Sequence, residues 1–342
     1  MEQNAGLIAR AIEDSLSIID QDRERKIVEK RFGLDGQKET LEQIGEALSV
    51  TRERVRQLEK VILVRLRISA KNGEIAGLPA AEKIIIRNLA ELGRAARVTT
   101  LAEKIFGEKA TNSNRAAITL LAEISDALTV VTENDRYHNA ITIGDNGNEK
   151  IIRKKIDDIV KLIKDNKTPM TLDELDAKLN YEHPSQIAAI ASLSKQLATL
   201  NGLWGLIKWP SVNPKNIRDK IYVILDAKKE PMHFNDIAVA IAESNFKRKN
   251  VTTQAIHNEL IKDPRFVLIG RGIYALNTWG YKKGTVSEII TAVLKEAGKP
   301  LSREEIVAEV MKTRKVKETT ILLNLQNRQL FEKVDKNAFT LA

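Results

Sequence analysis

Between residues 52 and 60 lies a group of side chains with the chemistry that reads base edges and holds phosphates. The group consists of Arg52, Glu53, Arg56, Gln57 and Lys60. Arginine pairs with guanine, glutamine with adenine and glutamate with cytosine, and lysine binds the phosphate backbone. At 100° per residue in a helix, these side chains fall within an arc of about 140° on one face. The spacing therefore predicts a helix face that fits the major groove of DNA.

The residues before this face supply the elements that must position it. Thr40 followed by Gln43 has the spacing of a capping box and predicts the start of a short helix. Gly45 is small enough to let a second helix cross close by, and residues 48–50 predict a turn. Thr51 then caps the long second helix that carries the group. Helix, tight turn and helix in this order predict a helix-turn-helix.

The alternative to a DNA-binding helix is an ordinary amphipathic surface helix, because the solvent-exposed face of such a helix is also charged. Val55, Leu58 and Ile62 would form the buried face of either kind of helix. The order of the residues favours DNA binding. Three arginines and a glutamine occupy the first turns after a tight turn, and helix-turn-helix proteins contact bases with those turns.

Several segments around this unit resemble a known family. They are Arg31-Phe-Gly-Leu, Asp35-Gly36, Thr40-Leu-Glu-Gln-Ile-Gly and Thr51-Arg-Glu-Arg-Val-Arg-Gln-Leu-Glu. Together they resemble the fourth conserved region of sigma-70 family RNA polymerase sigma factors. The resemblance covers residues 1–70 and is nearly continuous over residues 31–67. In that family the region binds the promoter −35 element and docks on the β-subunit flap of RNA polymerase.

The resemblance implies a role for each matching position. The implied base readers are Arg52, Glu53 and Gln57. The implied backbone or auxiliary contacts are Arg54, Arg56 and Lys60. The backbone of Thr40 and Leu41, at a helix N-terminus, would hold a phosphate. The implied partners are double-stranded promoter DNA and bacterial RNA polymerase.

One part of a complete sigma factor has no counterpart in this sequence. Such factors carry an aromatic-rich helical region that clamps the polymerase and melts the −10 element. That region would lie upstream of the helix-turn-helix, where there is almost no chain. The 342 residues contain only 7 Phe, 5 Tyr and 3 Trp. We therefore expect that the protein does not initiate transcription alone.

The charge of the chain favours a polyanionic partner. The net charge is +9, and residues 51–67 hold six basic and two acidic side chains although residues 1–70 are neutral overall. No apolar run has the length of a membrane span, and the N-terminus lacks the layout of a signal peptide. We therefore expect a cytoplasmic, nucleoid-associated protein with no membrane contact.

No pattern of catalytic or cofactor-binding residues is found. The sequence contains no cysteine, and neither a Gly-rich phosphate loop nor a G-x-S-x-G turn. The four histidines, which have no metal-ligand spacing, are His138, His183, His233 and His257. We expect no enzyme activity, no cofactor, no metal and no small-molecule substrate.

Two basic segments, residues 247–249 and 314–317, precede predicted helices. They either bind phosphates or form solvated loops.

Beyond residue 70 one pattern recurs with a period of 62 to 69 residues. Pro169, Pro231 and Pro300 each follow a predicted helix and precede a short polar residue that caps the next helix. Residues 96–105 are a candidate earlier copy without the proline. Each unit ends in alternating apolar residues broken by a turn, which predicts a hairpin. The predicted hairpin segments are residues 128–131 with 140–143, residues 203–209, residues 266–276 and residues 331–341.

Three helices and a hairpin in such a short unit are the winged-helix plan. We predict a helix-turn-helix at residues 1–70, followed by four winged-helix modules. The predicted modules are residues 79–148, 149–212, 213–282 and 283–342. The predicted fold class is mainly α, with small β-hairpin wings.

The third predicted module resembles a HARE-HTH domain. The resemblance rests mainly on Pro231-Met-His-Phe-Asn-Asp-Ile-Ala and on Asp263-Pro-Arg-Phe-Val-Leu-Ile-Gly-Arg-Gly-Ile-Tyr-Ala-Leu. It implies that Phe266, Tyr274 and Trp279 are core residues rather than platforms for stacking nucleic-acid bases.

These features predict a sequence-specific DNA-binding transcription protein related to sigma factors. It would recognise a −35-like element with the helix of residues 51–67 and associate with RNA polymerase through the β-subunit flap. The alternative is a polymerase-associated scaffold in which the winged-helix array binds proteins rather than DNA. Added salt separates the two, because it weakens DNA binding steeply and an apolar protein contact little.

Overall fold

The structure, a computed structural model, describes residues 2–179, 181, 184–246, 248, 250–335 and 337–342. The chain divides into two compact units, Met1–Lys208 and Trp209–Ala342. Within the described ranges, no helix combines the length and apolarity needed to span a bilayer.

The first unit begins with four helices that include the predicted helix-turn-helix. They are α1 (Glu2–Ser17), α2 (Asp22–Phe32), α3 (Leu41–Ala47) and α4 (Arg52–Lys71). Thr40 and Gln43 form a capping box at the start of α3. The Thr51 hydroxyl caps α4 by accepting from the Arg54 backbone N–H at 3.2 Å. Ser49, between the two helices, has a left-handed backbone with φ of 52°. The structure thus contains both predicted caps.

A glycine is required at position 45 because the turn after α3 comes close to it, and not because another helix crosses there. A Cβ at this position would lie 2.7 Å from the carbonyl oxygen of Val50 and 3.4 Å from the backbone nitrogen of Arg52. The Val50 N–H donates to the Gly45 carbonyl at 2.9 Å. The close approach expected from the sequence therefore lies between α3 and the residue that leads into α4.

After α4 one order of elements recurs four times: a helix, an extended segment, two helices and a hairpin. The first repeat contains α5 (Leu78–Glu91), β1 (Ala95–Arg97), α6 (Val98–Phe106), α7 (Asn112–Ile124), β2 (Leu128–Val131) and β3 (Ala140–Ile143). The second contains α8 (Glu149–Asn166), α9 (Leu172–Leu179), α10 (Pro184–Ser192), β4 (Leu197–Leu200) and β5 (Leu203–Leu206).

The second unit contains the other two repeats. The third repeat consists of α11 (Ile217–Lys228), β6 (Met232–His233), α12 (Phe234–Glu243), α13 (Thr253–Lys262), β7 (Phe266–Gly270) and β8 (Ile273–Leu276). The fourth consists of α14 (Val286–Ala297), β9 (Leu301–Ser302), α15 (Arg303–Thr313), α16 (Glu318–Leu325), β10 (Phe331–Lys333) and β11 (Ala338–Leu341).

The sheets show that these repeats share one topology. In three of them the first strand pairs with the last, giving the antiparallel orders β1-β3-β2, β6-β8-β7 and β9-β11-β10. In the second repeat Met170 bridges Trp204 at the equivalent place. The fold class is therefore mainly α, with a helix-turn-helix, winged-helix modules and small hairpins, as the sequence predicted.

The polar residues after the three prolines cap helices as predicted. The Thr171 hydroxyl accepts from the Glu174 N–H, and the Ser302 hydroxyl from the Glu305 N–H, each at 3.2 Å. His233 uses its ring Nδ1 to accept from the Asn235 N–H at 3.2 Å. His183 lies outside the described residues.

One continuous apolar core joins the first four helices to the first repeat. Ile8 of α1, Val55 and Ile62 of α4, and Leu101 and Leu121 of the repeat all belong to it, each at most 1% exposed. Helix α1 packs on α5, α6 and α7, while α4 packs on α2, α3 and α7. Burying such an aliphatic side chain stabilises a fold by about 1.5–3 kcal/mol. The shared apolar core therefore fixes the helix-turn-helix to the first repeat.

The third and fourth repeats are joined through residues 314 and 315. Arg314 is 7% exposed, and its Nη1 donates to the Leu268 carbonyl of β7. The Lys315 N–H donates to the Ile269 carbonyl at 2.9 Å. The proposal that residues 314–317 grip phosphates is therefore wrong for Arg314, because its guanidinium is buried in this joint.

The other basic segment is described only in part, since Lys247 and Lys249 lie outside the described residues. The carbonyl of Arg248 accepts from Nζ of the buried Lys220 at 2.7 Å. Among the aromatic residues of this repeat, Phe266 and Tyr274 are each 2% exposed and Trp279 is half-buried. The expected core role is confirmed for Phe266 and Tyr274.

Candidate nucleic-acid interface

The N-terminal half of α4 presents one polar face to solvent. Its exposed side chains are Arg52, Glu53, Arg54, Arg56, Gln57 and Lys60. On the opposite face Val55 and Ile62 are 0% exposed, and Leu58 packs against the core from a half-buried position. The two faces predicted from the helical period are therefore found, and the six residues implied by the resemblance lie together on one helix.

Four of these side chains form a polar network centred on Glu53. Arg56 donates through Nε and Nη2 to the Glu53 carboxylate at 2.9 and 2.7 Å. Gln57 donates to the same carboxylate at 3.4 Å, and Arg54 donates to the Gln57 side-chain oxygen at 3.5 Å. The hydrogen bond from Arg56 holds the pKa of Glu53 below its usual range.

The hydrogen bonds of this network favour one arrangement of the side chains but hold it only weakly. Glu53 and Arg56 are 58% and 56% exposed, and ion pairs in solvent contribute little to stability. Glu53 is therefore held ionised, and its ion pair with Arg56 can be broken at low cost. Arg52 and Lys60 flank the network at either end of the exposed face.

Other charged side chains of α4 hold the helix in place. Arg65 donates to Glu24 of α2 at 2.9 Å, and Arg67 donates to Glu123 of α7 at 2.7 Å. Glu59 accepts from Arg31 of α2 at 3.1 Å. The basic residues in the first turns of α4 thus face solvent, whereas Arg65 and Arg67 further along the helix bind neighbouring helices.

Glu42, in the first turn of α3, lies beside the turn that leads into α4. The capping box uses the backbone N–H of Thr40, which donates to the Gln43 side chain at 2.9 Å, and the N–H of Gln43. The N–H groups of Leu41 and Glu42 are the remaining donors of this first helical turn. A phosphate held here would therefore be bound by Leu41 and Glu42 rather than by Thr40.

Two interactions around the helix-turn-helix were missed by sequence reasoning. Arg23 of α2 donates to the Leu48 carbonyl at 2.8 Å and so ties the turn to α2. Lys30 binds both Asp35 and Glu39, at 2.8 and 2.9 Å, and orders the loop before α3. The sequence does not predict the contact between Lys30 and Glu39, because the two residues are nine positions apart and meet only after the loop between them folds back.

Within the described part of the chain, no group of His, Asp and Glu is placed to hold a metal ion.

A short helix, a tight turn and a capped second helix with an exposed face of Arg, Gln and Lys define the helix-turn-helix class of DNA-binding domain. Comparison with known proteins agrees with this class. Residues 21–67 match the family model described as "Sigma-70, region 4". This segment is a sigma-70 region 4 domain.

The chain is also similar to two RNA polymerase sigma factors named SigA, from Listeria monocytogenes serovar 1/2a and from Listeria innocua serovar 6a. Each is 40% identical over 70 residues, which is 20% of this chain and 18% of the relative. The likeness thus concerns one domain.

Proposed function

We propose that the protein binds promoter DNA at a −35-like element and does so in association with RNA polymerase. The observation that carries the proposal is the exposed face of α4, which groups six side chains of the types that contact bases and phosphates, in a segment that matches sigma-70 region 4. The expected element is TTGACA-like, a sequence carried over from the family.

Each side chain of the face has a proposed role. The proposed base readers are Arg52, Glu53 and Gln57, and the proposed backbone contacts are Arg54, Arg56 and Lys60. The N-terminus of α3, for which the resemblance implied Thr40 and Leu41, is proposed to bind a further phosphate through the backbone N–H groups of Leu41 and Glu42, because the Thr40 N–H already donates to Gln43. The hydrogen bonds among Glu53, Arg54, Arg56 and Gln57 support this assignment, because they pre-order the side chains before DNA arrives.

The proposed polymerase contact is the β-subunit flap. Its support is the resemblance of residues 1–70 to region 4, together with the name of the similar proteins, RNA polymerase sigma factor. We also propose that the four repeats are winged-helix modules with boundaries near residues 79–148, 149–212, 213–282 and 283–342, the first of which shares its core with the helix-turn-helix. A HARE-HTH relationship is proposed for the third of them.

A protein-binding scaffold is the second candidate, because the later modules expose apolar side chains. Ile261 on α13 is 65% exposed and Leu323 on α16 is 66% exposed. These are the third helices of their modules, the position that commonly faces a partner in helix-turn-helix folds. An apolar residue there suits a protein surface as well as it suits a thymine methyl group.

The salt dependence of binding distinguishes between promoter DNA binding and a protein-binding scaffold. The full chain is titrated with a duplex carrying TTGACA and with a scrambled duplex, between 50 and 200 mM salt. Three backbone contacts predict that log K falls with log salt with a slope of about −2 to −3. Core RNA polymerase is titrated in parallel. Specific duplex binding with that slope supports the first candidate. Polymerase binding that salt hardly changes, with no preference for TTGACA, supports the scaffold.

A further inference from the structure

A cavity between the helix-turn-helix and the first winged-helix module is lined by cationic side chains. Its volume is about 690 Å³, within the range of small-molecule sites. Its walls come from the end of α2, the loop before α3, the middle of α4, the start of α6, helix α7 and the β2–β3 hairpin. All of these elements belong to the first unit of the chain.

The acidic groups of the cavity are already neutralised by basic partners. Glu59 accepts from Arg31 at 3.1 Å, Glu123 from Arg67 at 2.7 Å and Glu133 from Lys195 at 2.7 Å. Each of these carboxylates therefore already has a cationic partner.

Three cationic side chains of the lining, Lys38, Arg97 and Arg115, form no ion pair within the described part of the chain. Arg97 donates through Nε to the Ser192 carbonyl at 2.6 Å, and Arg115 donates through Nη1 to Asn112 at 3.3 Å. These acceptors are neutral. The Nε of Arg115 is buried and has no hydrogen-bond partner within the described chain. A buried polar donor without a partner is rare and calls for an acceptor.

The positive charges also act on one another. Burial, and then the charges of Arg97 and Lys195, hold the pKa of His138 in the cavity below its usual range. Burial, and then the charge of Arg31, likewise hold the pKa of Lys38 below its usual range, although Glu59 and Glu133 oppose this effect. A bound anion would favour the charged forms of both groups.

We propose that this cavity binds a phosphorylated small molecule of about nucleotide size. Lys38, Arg97 and Arg115 would hold its phosphates, because guanidinium and ammonium groups form charge-assisted hydrogen bonds with phosphate oxygens. The apolar wall, formed by Leu63, Val98 and Val130, would accept the body of the ligand. The proposed role of the ligand is that of an effector. The inference is independent of DNA binding.

Calorimetric titration of the full chain without DNA tests the proposal. The probes are inorganic pyrophosphate and ATP, with adenosine as the uncharged control. Pyrophosphate and ATP are expected to bind at one site per chain, and adenosine is expected not to bind. Lys38→Gln removes one proposed contact from an exposed loop, and Arg115→Gln removes another from α7. Each is expected to weaken binding by about ten-fold or more, the usual effect of losing a hydrogen bond to a charged group.

Lys83→Gln is the matched control, because Lys83 is exposed on α5 in the same unit and does not line the cavity. It should change the affinity by less than two-fold. The proposal is overturned if neither phosphate probe binds, if adenosine binds equally well, or if Lys83→Gln weakens binding as much as Lys38→Gln. It is also overturned if the cavity variants weaken duplex DNA binding equally on all sequences while no phosphate probe binds. If Arg115→Gln fails to fold, Lys38→Gln alone decides.

Discussion

Gly45 offers a test of how tightly the turn of the helix-turn-helix is built. Two effects of Gly45→Ala oppose each other. Alanine favours the helix by about 0.5–1 kcal/mol over glycine in a helix interior. The new Cβ would lie 2.7 Å from the Val50 carbonyl oxygen, so the turn must shift. Overpacking of this kind costs about 1–3 kcal/mol. The steric effect is larger, and we expect a net loss of about 1–2 kcal/mol.

Gly6→Ala is the matched control for this substitution. Gly6 lies within α1, whose core belongs to the same cluster as that of α4, and a Cβ added there meets no atom within 4 Å. Only the helix effect remains, so this variant should be more stable by about 0.5–1 kcal/mol. Comparing the two variants therefore separates the effect of helix propensity on stability from the effect of the close contact in the turn.

Native-state hydrogen exchange of the full chain measures both variants. Its readout is the exchange of the Val55 and Ile62 amides of α4, which report on the opening of the shared core. Gly45→Ala should speed this exchange by about 5- to 30-fold, the factor that corresponds to 1–2 kcal/mol. Gly6→Ala should slow it. If Gly45→Ala also slowed the exchange, the turn would have room for a side chain and the reasoning would be refuted.

Three further predictions concern the third and fourth modules. Phe266→Ala should destabilise the third module by about 3–5 kcal/mol in urea unfolding, because Phe266 is 2% exposed; a loss under 1 kcal/mol would contradict its core role. Arg314→Gln should speed hydrogen exchange at Lys315, since it removes the buried bond to Leu268 that helps to join the modules; unchanged exchange would argue against the joint. Asp263, whose pKa the hydrogen bonds from Arg265 hold below its usual range, should contribute stability that is complete above the ordinary aspartate pKa of about 4 and is lost as the pH falls through the lowered pKa. Asp263→Asn should therefore be less stable than the parent at pH 7, with the difference vanishing in acid; a constant difference would refute this.

The helix-turn-helix was largely predictable because its signals are local. The caps at Thr40 and Thr51 lie next to the helices that they start, and the alternation of Val55 and Ile62 with polar residues follows the helical period. The hairpins at residues 128–143 and 266–276 were found for the same reason, since apolar strands flank polar turns.

What the sequence did not predict depends on contacts between distant residues. The second module forms its hairpin from Leu197–Leu200 and Leu203–Leu206, and the first of these strands was missed because it lacks a clear alternation. The burial of Arg314 was missed because its acceptor, Leu268, is 46 residues away. The same holds for the cavity, whose cations come from an interhelical loop, a strand and a helix.

The central claim is that the exposed face of α4 reads DNA bases, and a specificity profile tests it most directly. The full chain, Gln57→Ala and Lys60→Ala are each titrated with the TTGACA duplex and with duplexes altered at one base pair. Gln57→Ala should cost about 1–3 kcal/mol on the parent duplex and lose the preference at one position. Lys60→Ala should weaken all duplexes alike, as expected of a phosphate contact. Equal weakening of all duplexes by Gln57→Ala, or no weakening by either variant, would contradict the claim.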